Sequence, residues 1–552
     1  MKRLLFYLLP AVFTATACSK SKTDITSGNK PTYTNMAAST VRLVGGTNYD
    51  VVVNADTLTN WLPILREPPG NTPNVPVIPT PYFPGKGKFS GEWFVPQQFL
   101  DGKGQAVIKL FSVQEGAAGN ILEDSFQVKE DYNHPSDYYL ISQTGMAGVT
   151  AIPRAVTPAS DPTHIRIRLI NLSVATAGGA SPGSPLSLAL ADGSLVSPVT
   201  SGVADGTWSD YVELPYGAYQ FRVLVDGTPL QIPGVPPLLT STISLTDYVI
   251  KGGQCYVPTK TFQPGGAYSV IVSYNGNYQY EETPLSFNSL WFVTDISPQA
   301  NITYAQVQGI NAAEKNGLHL QIDGADSAIA YSAASGYLTL VAGEHAVKIT
   351  DGSGKVLAQT TLPVKGGDNL SLWVYPTPGG TDSIVTVQNN MGGLQQQSSG
   401  DGSDATGLVF DPLSFRAIVQ TRFLNLCPDL PYVTFTGPSG TLLREDIFSS
   451  APAARNLQPG KPADPITVPY PYIDLGLGAD ATIEAYQSQP NVLPGNPLTG
   501  VVDLTAADFI RMPAFFYPSG GAGMEPGVYT VALVGRSRAG EQPKMIVIKH
   551  NL

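Results

Sequence analysis

Charge is scarce in this 552-residue chain, with only 14% of positions Asp, Glu, Lys or Arg, where soluble domains average about a quarter. Long amphipathic helices need a charged outer face, so a largely helical protein is excluded. The balance is acidic, with a formal net charge of −11. A nucleic-acid partner calls for a basic stripe, and none is expected here. Histidine and cysteine are rarer still, at five and three residues. His134, His164, His319, His345 and His550 belong to no His-Glu-x-x-His or Cys-x-x-Cys set. That predicts no metal site, and no other cofactor motif is visible. In their place stand 56 Gly, 47 Pro, 26 Tyr and 20 Phe. Turn formers in that number, with aromatic and β-branched residues to fill a core, predict folded β-structure rather than disorder. The length corresponds to roughly three to five domains.

The amino terminus carries an address. Met1-Lys2-Arg3 is basic, Leu4 to Phe13 is apolar, and Ala15-Thr16-Ala17 places small residues directly before Cys18. The apolar run is too short to span a bilayer and fits a secretory signal over residues 1–17. A cysteine at that position resembles the lipobox of bacterial lipoproteins, which implies a lipidated Cys18 anchored in the outer membrane. Residues 18–39 are polar and read as a tether. Ser19-Lys20-Ser21-Lys22 lacks the acidic cluster of some surface-exposed Bacteroidetes lipoproteins, so cell-surface and periplasm-facing positions both stay open. Cys255 and Cys427 flank strand-like runs in different domains and are expected as separate buried thiols. A disulfide between them is the alternative in an oxidising compartment.

An internal repeat organises the rest. Arg168-Leu169-Ile170-Asn171, Gln308-Gly309-Ile310-Asn311 and Arg422-Phe423-Leu424-Asn425 align as opening strands, with Arg42-Leu43-Val44-Gly45 as a fainter copy. Each Asn side chain is expected to bond turn backbone. Second strands follow, two of them running into the tight-turn pairs Asp192-Gly193 and Asp323-Gly324. Tyr219, Phe221 and Val223 alternate with polar residues, as do His345, Val347 and Ile349. That period is a strand half-buried in an antiparallel sheet. The spacing of the repeat suits whole β-sandwiches. The expected domains are residues 40–155, 163–296, 301–390 and 414–552, with a polar, Gly-rich linker over 391–413. A single short helix is expected over 505–512, with Thr505 as its N-cap.

These signatures resemble the bacterial domain of unknown function 4397. The shared pattern is Arg-x-Ile/Leu-Asn, an alternating strand ending near Asp-Gly, and Leu-Pro-x-Gly-x-Tyr, here Leu214-Pro215-Tyr216-Gly217-Ala218-Tyr219. The likeness is clearest over 163–296 and 301–390, fair over 414–552 and faint over 40–155. It implies an all-β chain of tandem immunoglobulin-like or transthyretin-like antiparallel sandwiches behind a lipoprotein signal peptide. It implies no particular activity.

Catalytic machinery is hard to find. Gly179-Ala180-Ser181-Pro182-Gly183 matches Gly-x-Ser-x-Gly, but a nucleophile elbow uses the next residue's N–H, and Pro182 has none. Asp131, Glu281 and Glu282 lie near aromatics, without a visible convergence of the kind glycosidases need. Asp351-Gly352-Ser353-Gly354 and Asp401-Gly402-Ser403-Asp404 read as turns rather than calcium loops. No catalytic residue is assigned. The candidates for ligand contact are the loop aromatics Tyr82, Tyr274, Tyr278, Tyr280, Tyr470 and Tyr472, whose rings suit sugar stacking or protein contact. Even spacing puts Tyr274, Tyr278 and Tyr280 on one side of an extended segment. The competing expectation is that these rings cover loop cores. The sequence predicts a non-catalytic, lipid-anchored envelope protein presenting sandwiches for binding or adhesion to a glycan or protein. An accessory subunit of an outer-membrane complex and a carbohydrate-active enzyme are the alternatives.

Overall fold

The computed structural model describes residues 37–60, 80–83, 87–113, 120–143, 146–173, 185–190, 194–225, 248–249, 254–256, 260–280, 283–389, 394–397, 409–412, 419–443, 452–463, 472–474, 482–509, 527–538 and 541–551. Cys18, Tyr470, Glu281, Glu282, Asp192-Gly193, the Gly-x-Ser-x-Gly string and residues 401–404 lie outside them. The protein is all-β: its regular elements are strands and a few three-residue 3-10 turns, with no α-helix among the described residues. Thr505 ends the two-residue strand Leu504–Thr505 and caps a turn, not the expected helix. Its Oγ1 accepts from the Ala507 N–H at 3.1 Å, and Asp508 accepts from the Thr505 N–H at 2.7 Å. The capping chemistry is present, but the described chain through Phe509 continues as a turn.

The chain divides into two compact units, Met1–Arg154 and Ala155–Leu552. The first holds one sandwich built on the long strand Ala38–Val53. Its leading part pairs with Phe89–Pro96 and its trailing part with Gln105–Val113, so one strand serves both sheets. Leu43, Val51, Phe89, Ile108 and Leu110 fill the space between. The second unit contains three further cores. They centre on Leu169, Phe221 and Val270, on Val307, Leu320 and Leu372, and on Phe423, Phe435 and Val531.

One pairing recurs in all four sandwiches and departs from the antiparallel expectation. The opening strand runs parallel to the closing strand, with Arg42 in register with Asp137, Arg168 with Ser269, Gln308 with Ser371, and Arg422 with Thr530. The cause is visible in the third sandwich. Between Tyr304–Asn311 and Asn369–Pro376 lie five strands, four of them in the opposite sheet and one, Leu338–Val341, antiparallel beside the opening strand, so an even number of reversals returns the chain in its original direction. A last antiparallel strand then flanks the closing one: Met146–Pro153, Thr283–Ile296, Asp382–Gln388 and Lys544–Lys549.

The repeated asparagines act as the local chemistry requires. Asn171, Asn311 and Asn425 are buried, and each Oδ1 accepts the N–H two residues on, at 3.0–3.2 Å. Their amides donate to loop carbonyls, Val203, Lys315 and Leu430 respectively. The Asp323-Gly324 turn has φ of 50° and 91°, the two left-handed positions of a type I′ hairpin. Within the expected linker, Leu394–Gln397 and Val409–Pro412 pair antiparallel.

The third and fourth sandwiches are joined through more than that linker. Ile310, Trp373 and Val387 from one outer sheet face pack with Leu424, Leu426, Ala532, Ile546 and Ile548 from the other in a single apolar cluster. Each large side chain fully buried in this way contributes roughly 1.5–3 kcal/mol.

Candidate functional site

Beside that apolar cluster the same interface is polar, a seam of buried side-chain hydrogen bonds. The opening-strand position that reads Arg, Gln or Arg in the repeats supplies its anchors, because it faces away from each sandwich's own core. Gln308 Nε2 donates to His550 Nδ1 at 2.6 Å and to Ser371 Oγ at 3.0 Å. His550 Nε2 donates to Thr530 Oγ1 at 2.7 Å. Arg422 donates to the Gln388 carbonyl (2.7 Å), Asn389 Oδ1 (2.8 Å) and Thr530 Oγ1 (3.0 Å). The Tyr472 hydroxyl donates to the Asn389 carbonyl at 2.6 Å and Tyr337 donates to the His550 carbonyl at 2.9 Å. Trp373 stands edge-on to the imidazole, 6.5 Å between centroids.

Both basic groups are enclosed. Burial holds the His550 imidazole well below its usual value, and the Arg422 charge adds to the effect, so the ring is neutral. Burial also pulls down Arg422, whose hydrogen-bond partners among the described residues are all uncharged. The second sandwich joins at one edge. Gln306 Nε2 donates to the Tyr216 carbonyl at 2.6 Å, and Ala218 packs with Tyr472 and Val528. The seam thus ties three sandwiches together.

The remaining histidines are engaged elsewhere. His345 Nδ1 meets Asp323 Oδ2 at 2.5 Å and its Nε2 donates to the Val341 carbonyl at 2.7 Å. Asp323 chiefly, against burial, raises the His345 pKa. Both ring nitrogens are thus held by acceptors of the same sandwich, which fixes the ring's orientation. His319 pairs with Asp326 at 2.8 Å, and His134 and His164 stand beside Asp131 and Asp161. Asp131 accepts the Asn133 and His134 N–H groups, and Asp351 accepts from Ser353 and Lys355, both as turn carboxylates.

One carboxylate pair escaped sequence reasoning. Burial works against the Glu484 carboxylate, but the Ser439 N–H, the Tyr486 hydroxyl and the Gly440 N–H together hold it below the usual range. Asp503 is pushed up by partial burial and then by Glu484. Glu484 spends both oxygens on the turn at Ser439, whose φ is 57°, so its evident work is structural.

The predicted aromatics separate into three groups. Tyr472 is 2% exposed within the seam, which corrects its expected role as an open stacking ring. Tyr82 is half-buried, packed edge-on to Phe99 at 5.3 Å, and its hydroxyl accepts from Gln98. Tyr274, Tyr278 and Tyr280 lie on the strand Ala267–Tyr280, which pairs with Thr283–Ile296. A register irregularity between Tyr274 and Asn277 inserts one residue. It breaks the even spacing, so Tyr278 and Tyr280 share a register parity that Tyr274 does not. Cys427 is a buried free thiol, its pKa pushed up to about 11 by burial. Cys255 lies on the strand Gln254–Tyr256.

Fold and seam together define an all-β protein of several sandwiches, three of them interlocked through outer sheet faces. No protein-family model and no curated protein matches the chain.

Proposed function

We propose that the chain is a non-catalytic, lipid-anchored protein of the cell envelope that presents tandem sandwiches to a glycan or protein ligand. The observation that carries this reading is the seam of Gln308, Arg422 and His550. Buried hydrogen bonds have one good geometry, so they fix the orientation of the joined sandwiches and hold their outward surfaces at a set spacing. The signal-like residues 1–17 with Cys18 support the anchor, and the occupied nitrogens of His345 support a non-catalytic role. The ligand contact falls on the long hairpin that carries Tyr278 and Tyr280.

The test uses the chain from Ser19 onward on a glycan array and in pull-downs from outer-membrane extract. Tyr278→Ala is expected to weaken binding roughly tenfold, about 1.4 kcal/mol, at an unchanged melting temperature. In the full chain, Cys18→Ala is expected to release the protein from the membrane fraction. If the array is blank and the protein instead co-purifies with one envelope assembly, the accessory-subunit reading replaces this one.

A further inference from the structure

The seam between the third and fourth sandwiches bonds around an uncharged histidine. Gln308, from the third sandwich, donates to His550 Nδ1, so that nitrogen must keep its lone pair. The other nitrogen carries the proton and donates to Thr530. A second proton on the ring would set an N–H against the Gln308 N–H₂, so a bond across the interface then requires the amide to turn over and give up its donation to Ser371 Oγ. It would also add a positive charge beside Arg422, whose guanidinium shares Thr530 Oγ1 with the ring. Among the described residues, the titratable groups packed here are Arg422, Tyr337 and Tyr472. None of them becomes negative in acid, and among the described residues no carboxylate is bonded to the ring.

We propose that His550 is an acid-sensitive latch: its protonation opens the interface between the third and fourth sandwiches and uncovers the apolar faces around Trp373. Each sandwich keeps its own hydrophobic core when the interface parts, because the clusters inside the two sandwiches are separate from the one between them. Opening is therefore a step distinct from unfolding. Its size is bounded by linkage. If the ring returns on opening to an ordinary value near 6.5, the open population rises about 30-fold between pH 7.5 and 5.0. An interface closed by several kcal/mol then stays mostly shut at neutral pH and samples the open state far more in acid.

Hydroxyl-radical footprinting with mass spectrometry on the full chain tests the latch, because parting the interface exposes side chains while each sheet keeps its own ladder bonds. The peptides carrying Trp373, Ile546 and Ile548 are expected to be labelled about 30-fold faster at pH 5.0 than at pH 7.5, relative to a free-peptide control at each pH. Core side chains of the opposite sheets, such as Leu320 and Phe435, should change little. His550→Gln keeps an amide able to bond Gln308 and Thr530 and should remove most of the pH response. Should that variant fold poorly, Gln308→Glu offers the second arm, since a carboxylate beside the ring would favour its charged form and shift opening to lower pH. Equal labelling of Trp373, Ile546 and Ile548 at both pH values overturns the proposal. So does a pH response of undiminished size in His550→Gln.

Discussion

The guanidinium of Arg422 lies 5.4 Å from the centroid of the Tyr472 ring, and both side chains are almost fully buried. The aromatic face and a fork of neutral acceptors take the place of a carboxylate. Lysine has neither the planar fork nor five donors. Arg422→Lys is expected to lose at least one charge-assisted hydrogen bond, each worth about 1.5–3 kcal/mol. Urea unfolding should show the loss, and Arg422→Lys with wild-type stability would show that the fork is dispensable.

His345 predicts a pH dependence of opposite sign to the seam histidine. Asp323 raises its folded-state pKa, so the interaction is fully present below about 6.5 and fades as pH rises through the raised value. Melting temperatures of His345→Gln and wild type are expected to lie furthest apart below about pH 6.5 and to converge as the pH rises. A gap that widens with rising pH would contradict the pairing.

Lys88 and Asp50 form a buried ion pair in the first sandwich, 2.5 Å apart with side chains 6% and 1% exposed. Thr59 donates to the other Asp50 oxygen at 2.7 Å. Removing only the ammonium takes a buried partner charge from Asp50, so Lys88→Met is expected to cost up to about 3–5 kcal/mol. The double variant Lys88→Met with Asp50→Leu should recover much of that loss in a thermal-shift measurement. No recovery would mean that packing of the lysine stem matters more than its charge.

Asn311→Ala is expected to cost about 1–3 kcal/mol by leaving buried loop groups unpaired, and Asn171→Ala and Asn425→Ala should match it. In the first sandwich the same slot holds Gly45, where a Cβ would stand 3.0 Å from the Leu140 side chain. Gly45→Asn should therefore destabilise rather than complete the repeat. Denaturation midpoints of the four variants decide the point.

What could be read in the sequence was chemistry that acts over a few residues. The asparagines bond two residues ahead, and Asp323-Gly324 needs only its own backbone to make a turn. The seam was harder to see, although it left a trace. Gly527–Val534 is buried at every position, the mark of a strand covered on both faces, and Leu424, Ala532 and Ile548 carry apolar side chains on the parity facing away from the core. Period-two reasoning assigns such residues to water and overlooks a partner sheet. Tyr472 misled for a related reason. Pro469 and Pro471 make its surroundings look like a loop, while its neighbours in space, Arg422 and Asn389, are tens of residues away in sequence. The order of strands, with its parallel pair, depends on where the chain crosses between sheets, which no local pattern encodes.

That parallel pair has a mechanical consequence. Because the opening and closing strands point the same way and the last strand returns, each sandwich begins and ends at the same end of one sheet. In the third sandwich, force applied between those two points peels the last strand Asp382–Gln388 off sideways, breaking ladder bonds one after another. Strands loaded from opposite ends would instead slide along their length and break many bonds together. Taken singly, a sandwich of this topology is loaded in the unzipping direction, in which ladder bonds yield in turn at low tension.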